Sequence, residues 1–190
     1  MKPRPKILSV IISILLLLLV GISLFAGYKF YLKKAYPVKY QNFIEEACKT
    51  HNVEEPLVLA VIKAESKFQE NANSKAGAIG LMQITPETFE WLQRQSGKKV
   101  YLDENNLKNP KINIEYGTYF LSILKKKYSD EKVILSAYNA GMGATDKWLK
   151  DPTYSLDGKT LKSIPYSETE NYVENVLSNQ KMYKKLYYNN

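Results

Sequence analysis

The feature that most constrains the fold is a stretch of 20 residues without a charged side chain, from Ile7 to Ala26, which contains the leucine run Leu15–Leu19. As a helix, this stretch would extend about 30 Å, which matches the hydrocarbon thickness of a bilayer. A core helix of a soluble protein would normally carry a polar stripe, and none is present here. We therefore predict a membrane anchor in residues 1–34 and a separate folded domain in residues 35–190.

A cleaved signal peptide is the alternative interpretation of this stretch. The apolar region of a signal peptide is usually about 7–15 residues long and ends at a small-x-small cleavage site. The stretch in this chain is longer, although Ser23 to Ala26 would offer a fair cleavage site. Basic residues flank both ends, so charge alone does not orient the segment in a membrane.

The net charge of +8 comes mostly from the N-terminal segment. Residues 1–34 carry six basic residues and no acidic residue, which leaves a formal charge of only +2 for the remaining chain. A domain this close to neutral argues against a dedicated nucleic-acid surface. The single cysteine, Cys48, cannot close an intramolecular disulfide, and the single histidine, His51, excludes a His-rich zinc site.

Helix signals dominate the rest of the chain, and no stretch alternates convincingly as a strand. Thr85-Pro86 and Asn109-Pro110 combine a capping residue with proline at the first helical position. Ser129 or Asp130 is expected to cap a further helix that ends at Gly141, and Ser167-x-x-Glu170 is typical of a capping box. The predicted helices cover residues 38–50, 56–68, 86–92, 110–127, about 130–141 and 167 onwards. Long loops are predicted at residues 69–80, 93–108 and 151–166.

Glu65 lies on the apolar side of its predicted helix. Val58, Val61, Ile62 and Glu65 follow the i, i+3, i+4, i+7 spacing of one helix face. A carboxyl group on the core side loses hydration, which raises its pKa and suits it to donate a proton near neutral pH. The alternative is that Glu65 lies near the helix end and turns outward to water.

Several motifs that follow Glu65 decide between these interpretations. They comprise Glu65-Ser-Lys-Phe68, Ala72-Asn-Ser74, Gly77-Ala-Ile-Gly80-Leu-Met-Gln83, Asn113-Ile, Ala137-Tyr-Asn-Ala-Gly141, Ile164-Pro165 and Glu168-Thr169 with Tyr172-Val173. In this order and spacing, the motifs resemble those of the SLT-type lytic transglycosylases, lysozyme-like enzymes that cut bacterial peptidoglycan. The resemblance covers about residues 40–185. It implies a mainly α, lysozyme-like domain of the goose type, which would follow the N-terminal transmembrane helix predicted from the apolar stretch.

The resemblance also implies a role for each matching residue. Glu65 would be the catalytic acid and then the base. The implied substrate-binding residues are Ser74, Gln83, Tyr138, Asn139, Glu168 and Tyr172. Structural alternatives stay open for three of them: Ser74 as the cap of a backbone amide, Tyr138 as a buried ring of which only the hydroxyl reaches the site, and Glu168 as a negative charge favoured near a helix N-terminus.

The reaction implied by the resemblance is cleavage of the β-1,4 bond between N-acetylmuramic acid and N-acetylglucosamine with formation of a 1,6-anhydro ring. It needs no metal or organic cofactor. A hydrolytic muramidase resembling goose-type lysozymes and an inactive glycan-binding scaffold of the cell envelope are the alternatives. A muramidase would need a second carboxylate to activate water.

The resemblance, the apolar stretch and the charge distribution together predict the partners and the location of the protein. The expected partners are peptidoglycan glycan strands and, through residues 7–26, the membrane, with no nucleic acid and with a monomeric chain. The expected location is the cell membrane, crossed once, with the catalytic domain outside the cytoplasm on the cell-wall side.

Overall fold

The computed structural model describes residues 4–97 and 102–188, so four residues of the predicted loop 93–108 lie outside the described part. The chain divides into two compact units, Met1–Pro37 and Val38–Asn190. The eight α-helices of the described part are α1 (Arg4–Ala35), α2 (Gln41–His51), α3 (Glu55–Ser66), α4 (Pro86–Gln95), α5 (Pro110–Lys127), α6 (Glu131–Ala140), α7 (Met142–Lys150) and α8 (Ser167–Tyr183). A 3-10 helix covers Glu104–Lys108, and a π-helical turn covers Lys184–Tyr188.

The first unit contains the long helix α1. Its segment Leu8–Ala35 is long and apolar enough to cross a membrane, and its large apolar side chains are exposed. Leu17, in the centre of the leucine run, has 72% of its surface exposed. Such a surface is unfavourable in water and suits a lipid environment.

The second unit is built around α3. Every residue from Pro56 to Ile62 is buried, so this helix is apolar on all sides rather than on one stripe. Helix α8 packs along α3, helix α2 packs against α3 and α5, and α6 contacts α5, α7 and α8. A helix that is apolar all round is expected at the centre of a domain, and α3 occupies that position.

Capping side chains mark where three of the eight described α-helices begin. The side chains of Thr85, Asn109 and Asp130 accept hydrogen bonds from the backbone amides of Thr88, Lys111 and Val133, as predicted for N-caps. The predicted capping box at Ser167 is wrong, because Ser167 is already helical and the cap position belongs to Tyr166, whose side chain makes no capping bond.

Three other boundaries differ from the sequence prediction by more than one residue, and one of them is the end of α4, which continues to Gln95 instead of ending at residue 92. Helix α2 begins at Gln41 rather than at residue 38, because Tyr40 adopts a left-handed conformation with φ of 59°. Helix α3 ends at Ser66 rather than at residue 68, because Lys67 and Phe68 are both left-handed, with φ of 52° and 64°. These left-handed residues turn the chain sharply out of α3, directly after Glu65.

Helix α7 was missed in the sequence. It begins immediately after Gly141, whose φ of 86° separates it from α6. The prediction that Gly141 ends a helix is confirmed, but no capping side chain in the sequence indicates that another helix starts directly after it. Helix α7 buries Thr145 and Trp148.

Candidate active site

A cleft of about 430 Å³ opens where α3 and α6 end and α4 and α8 begin, and the loop from residue 67 to residue 85 forms one of its sides. Six of the seven predicted site residues line it, namely Glu65, Ser74, Gln83, Tyr138, Asn139 and Glu168. The seventh, Tyr172, does not line the cleft but interacts with Glu65 from α8. Residues separated by more than 100 positions in the chain therefore meet at one site.

Glu65 is half-buried near the last turn of α3, with its side chain at the cleft. Burial raises its pKa to about 7, because the charged carboxylate loses hydration, and the Tyr172 hydroxyl partly opposes this rise. Near neutral pH, a substantial fraction of Glu65 therefore carries a proton. The prediction that this side chain stays on the core side rather than turning to water is met by its placement.

Tyr172 interacts with Glu65 from α8. Its hydroxyl oxygen is buried and has no hydrogen-bond partner of regular geometry among the described residues. Burial and the adjacent Glu65 charge raise the pKa of Tyr172 well above its ordinary value, so it stays protonated and can donate to the carboxylate. A small adjustment of either side chain would complete this hydrogen bond.

Tyr138 borders the cleft from α6 and holds the loop in place. Its hydroxyl donates to the backbone carbonyl of Met82 at 2.8 Å. Its ring packs at 5.1 Å from the ring of Phe120, which also lines the cleft. Burial, followed by the charge of Glu65, raises the pKa of Tyr138 well above its ordinary value. The hydroxyl predicted to reach the site thus connects the site to its supporting loop.

The loop itself presents Ser74 and Gln83. The Ser74 hydroxyl accepts a hydrogen bond from the backbone amide of Ala78 at 3.0 Å, which is the capping role considered for it, and the side chain is exposed at the cleft. The Gln83 side-chain amide donates to the carbonyls of Ala72 and Gly80 at 3.1 and 2.9 Å. Its amide hydrogens are thereby committed to the loop, while the residue lines the cleft.

Asn113 clamps this loop from α5, a role that sequence reasoning did not find. Its Oδ1 accepts from the Met82 amide at 2.7 Å, and its Nδ2 donates to the carbonyls of Ile79 and Leu107 at 2.9 Å each. Asn113 is completely buried, which is costly for an amide unless all its polar atoms are bonded. The sequence marks Asn113 only as part of a motif, since the bonding partners lie in two distant segments.

The clamp requires glycine at position 80. Gly80 has φ of +80°, and a Cβ atom there would lie 2.3 Å from Asn113 Nδ2 and 2.5 Å from the Leu107 carbonyl oxygen. Gly80 therefore permits both the left-handed turn and the close approach of the loop to α5.

Asn139 and Glu168 occupy the other side of the cleft. The Thr169 hydroxyl donates to Asn139 Oδ1 at 2.8 Å, which joins the end of α6 to the start of α8. Glu168 is exposed in the first turn of α8. Both residues also line an adjoining chamber of about 440 Å³.

Eight residues that line the cleft were not predicted as site residues, and they include Thr85, Thr88 and Phe120. Thr85 was noted only as a helix cap, and a cap at the mouth of a cleft has no distinguishing sequence signal. Within the described residues, no group of three or more His, Cys, Asp or Glu side chains could hold a metal ion.

Comparison with known sequences identifies the family. The family model of the transglycosylase SLT domain matches residues 42–161. The soluble lytic murein transglycosylase of Salmonella typhimurium is 30% identical over 156 residues, which cover 81% of this chain and 24% of that protein. Membrane-bound lytic murein transglycosylase C of Glaesserella parasuis is 29% identical over 174 residues, which cover 77% of this chain and 46% of that protein.

Solved structures agree with the sequence comparison. A lytic transglycosylase of Pseudomonas aeruginosa, solved as an inactive mutant, matches with a TM-score of 0.71 and 29% identity over 81% of this chain and 25% of that chain. The 70-kDa soluble lytic transglycosylase of Escherichia coli matches with a TM-score of 0.72 and 27% identity over the same shares. The predicted mainly helical, lysozyme-like fold is thereby confirmed.

The chain spans about a quarter of the length of these soluble relatives. The matched region contains the end of α3, the loop that follows it and the end of α6, so most of the cleft lies within it. Since the family model matches well over half of the chain, this protein belongs to the transglycosylase SLT domain family.

Proposed function

We propose that this protein is a membrane-tethered lytic transglycosylase that cleaves peptidoglycan glycan strands, with Glu65 as the general acid and then the base. The observation that carries the proposal is the Glu65 carboxyl group in the cleft with a pKa raised to about 7. A catalytic acid works best when its pKa lies near the working pH. The names of the relatives, all lytic murein transglycosylases, support the same reaction.

In the first step, the Glu65 carboxyl group donates its proton to the oxygen that links N-acetylmuramic acid to N-acetylglucosamine. The C–O bond breaks, the N-acetylglucosamine end leaves with a free hydroxyl, and positive charge develops at C1 of the muramic acid. Glu65 becomes a carboxylate at this stage. The Tyr172 hydroxyl is placed to stabilise that carboxylate, since its interaction lowers the pKa of Glu65.

In the second step, the Glu65 carboxylate takes the proton from the C6 hydroxyl of the same muramic acid. The C6 oxygen then attacks C1 and closes the 1,6-anhydro ring, which regenerates protonated Glu65 without consuming water. The neighbouring N-acetyl group can assist the charge at C1. An intramolecular nucleophile avoids the cost of positioning a separate molecule.

A relative supports the need for a glutamate. The Pseudomonas aeruginosa enzyme was solved as an inactive glutamate-to-glutamine mutant. Glutamine preserves the shape of the side chain but cannot donate the proton that the first step requires.

A hydrolytic muramidase is the second candidate, because Glu168 contributes another carboxylate to the cleft. Inverting glycosidases place their two carboxyl groups about 6.5–9.5 Å apart so that one can activate water. In that case Glu168 would be essential, whereas a transglycosylase needs Glu168 only for binding. The two reactions give products that differ by one water molecule.

Membrane attachment forms part of the proposal. Helix α1 has the length and composition of a single membrane span, and some relatives are named as membrane-bound enzymes. Because peptidoglycan lies outside the cytoplasmic membrane, we expect the unit Val38–Asn190 to lie on the cell-wall side.

Mass spectrometry of the sugars released from purified sacculi tests the proposal. The full-length chain in detergent should release muropeptides that end in 1,6-anhydro-N-acetylmuramic acid. Glu65→Gln should release none. Glu70→Gln is the control, because Glu70 lies in the loop that follows α3 and accepts from the Tyr40 hydroxyl at 3.1 Å, and this variant should behave as the unmodified protein. Products with a reducing N-acetylmuramic acid, together with loss of activity in Glu168→Gln, would establish the muramidase instead.

A further inference from the structure

A second chamber continues the cleft beyond Asn139 and Glu168. It has a volume of about 440 Å³ and shares Asn139, Ala140 and Glu168 with the cleft. Its remaining lining comes from the segment that enters α8, including Pro165 and Tyr166. Because Asn139, Ala140 and Glu168 border both spaces, this side chamber lies directly beside the cleft.

Tyr166 presents an open aromatic ring in the side chamber. Its side chain is 57% exposed, which is unusual for a large ring within a compact unit. The ring meets Trp148 edge to face, with centroids 5.0 Å apart and planes at 82°. Trp148 is only 6% exposed, so a fixed, buried side chain supports the exposed ring.

The hydrogen bonds of Tyr166 do not account for its exposure. Its backbone carbonyl accepts from the Glu170 amide at 2.9 Å and thereby begins α8, but its side chain makes no capping bond. No hydrogen bond joins its hydroxyl to another residue in the part of the chain that the structure describes. Replacing the side chain would therefore leave the helix start in place.

Polar side chains line the side chamber together with this ring. The Asn139 Oδ1 atom accepts from the Thr169 hydroxyl, a bond that does not use the Nδ2 hydrogens, and Asn139 borders both spaces. The exposed Glu168 carboxylate can accept hydrogen bonds from hydroxyl groups. A pyranose has an apolar C–H face that can lie against an aromatic ring and hydroxyl groups at its edge.

We propose that Tyr166 is the stacking platform of an additional sugar subsite in the side chamber, and that it makes binding depend on the length of the glycan strand. This inference rests on the proposed function, because it assigns a further sugar of the same substrate to the chamber. Tyr166 is a specificity-determining residue here, since it lies in the chamber adjoining the one that holds Glu65.

Titration calorimetry with β-1,4-linked oligomers of N-acetylglucosamine, from the disaccharide to the hexasaccharide, tests the inference on the full-length chain in detergent. For the unmodified protein, we expect affinity to increase with length until both spaces are filled. Tyr166→Ala should weaken binding of the longest oligomer by about five- to tenfold and flatten the dependence on length. Tyr166→Phe, which keeps the ring, should bind as the unmodified protein does.

Two further variants serve as controls. Leu156→Ala removes another exposed apolar side chain, 82% exposed, from the segment between α7 and α8, and it should leave binding unchanged. Tyr166→Leu keeps an apolar contact with Trp148 but lacks a flat aromatic face, and it should resemble Tyr166→Ala. If Tyr166→Ala loses its fold, Tyr166→Leu carries the test.

The inference is overturned if Tyr166→Ala and Tyr166→Leu keep the full dependence on length. It is also overturned if Tyr166→Phe loses as much affinity as Tyr166→Ala, because the hydroxyl would then be the binding group. Release of sugars from sacculi, measured in parallel, separates this inference from the proposed function. Unmodified protein that shows Tyr166-dependent binding but releases no anhydro sugar would support the subsite and overturn the enzyme.

Discussion

The floor and the rim of the cleft differ in burial, and the difference separates their chemistry. On the floor, Glu65 and the Tyr138 hydroxyl are withdrawn from water, and the Tyr172 hydroxyl that interacts with Glu65 is buried behind them; the pKa values of all three groups are raised. On the rim, Ser74 and Glu168 are exposed. Burial changes which protonation state is stable, whereas exposure leaves groups free to bind a ligand. The floor thus suits proton transfer and the rim suits recognition.

The largest expected effect tests the floor directly. Glu65→Gln removes the proton donor and should lower the rate of anhydro-sugar release by about a thousandfold or more. Dye release from labelled sacculi, with circular dichroism to verify the fold, measures this effect. Activity within tenfold of the unmodified protein would contradict the assignment of Glu65.

The raised pKa of Glu65 also makes the stability of the folded protein depend on pH. Between the ordinary Glu value of 4.5 and the folded value of about 7, the folded state binds more protons than the unfolded state. The free energy of unfolding therefore falls as pH rises through this window, by at most about 3 kcal/mol. Glu65→Gln should lack this decrease. Urea unfolding at both ends of the window should therefore show that the stability of the variant, relative to that of the unmodified protein, is greater at the high-pH end than at the low-pH end.

The next effect concerns the loop that supports the rim. Gly80→Ala places a Cβ against Asn113 and the Leu107 carbonyl at a left-handed position. We expect a loss of about 3 kcal/mol in the free energy of unfolding, together with lower activity. Gly143→Ala is the matched control, because a Cβ there meets nothing within 4 Å and its φ is not left-handed. Equal melting temperatures for the two variants would mean that the clamp does not position the loop.

A smaller effect on activity is expected from Tyr172, which interacts with Glu65 from α8. Tyr172→Phe removes the interaction that lowers the pKa of Glu65, so that pKa should rise above about 7. Because Glu65 must be protonated to act as the acid, the decline of activity at high pH should move to higher pH. The pH profile of kcat/KM measures the shift. A profile that moves to lower pH, or not at all, would remove Tyr172 from this role.

The smallest effect belongs to the rim. Ser74→Ala removes one exposed hydroxyl and its bond to the Ala78 amide, so it should cost about 1 kcal/mol of stability and a few-fold in activity. The change should appear in KM rather than in the pH profile, because Ser74 does not contribute to the raised pKa of Glu65. A shifted pH profile in this variant would show that floor and rim are not separate.

Local signals in the sequence were sufficient for most helices. Thr85, Asn109 and Asp130 cap helices because a short polar side chain can reach an amide two or three residues ahead, which depends on neighbouring residues alone. Ser167 satisfied the same pattern and failed as a cap, and α7 was missed because it follows α6 without a capping side chain. Boundaries decided by backbone conformation, as at Tyr40, leave no such signal.

The sequence by itself determined that Glu65 shares one helix face with Val58, Val61 and Ile62, because helical periodicity is a local property of the chain, whereas the motifs that follow Glu65 decided against its turning outward to water. It also determined, through its ordered motifs, the family to which the chain belongs. Only the tertiary structure decided that Tyr172 faces Glu65, that Asn113 clamps the loop, and that Tyr166 opens into a chamber beside the cleft. Those contacts join segments that are distant in sequence, and their partners are selected by how the helices pack, which no local pattern specifies.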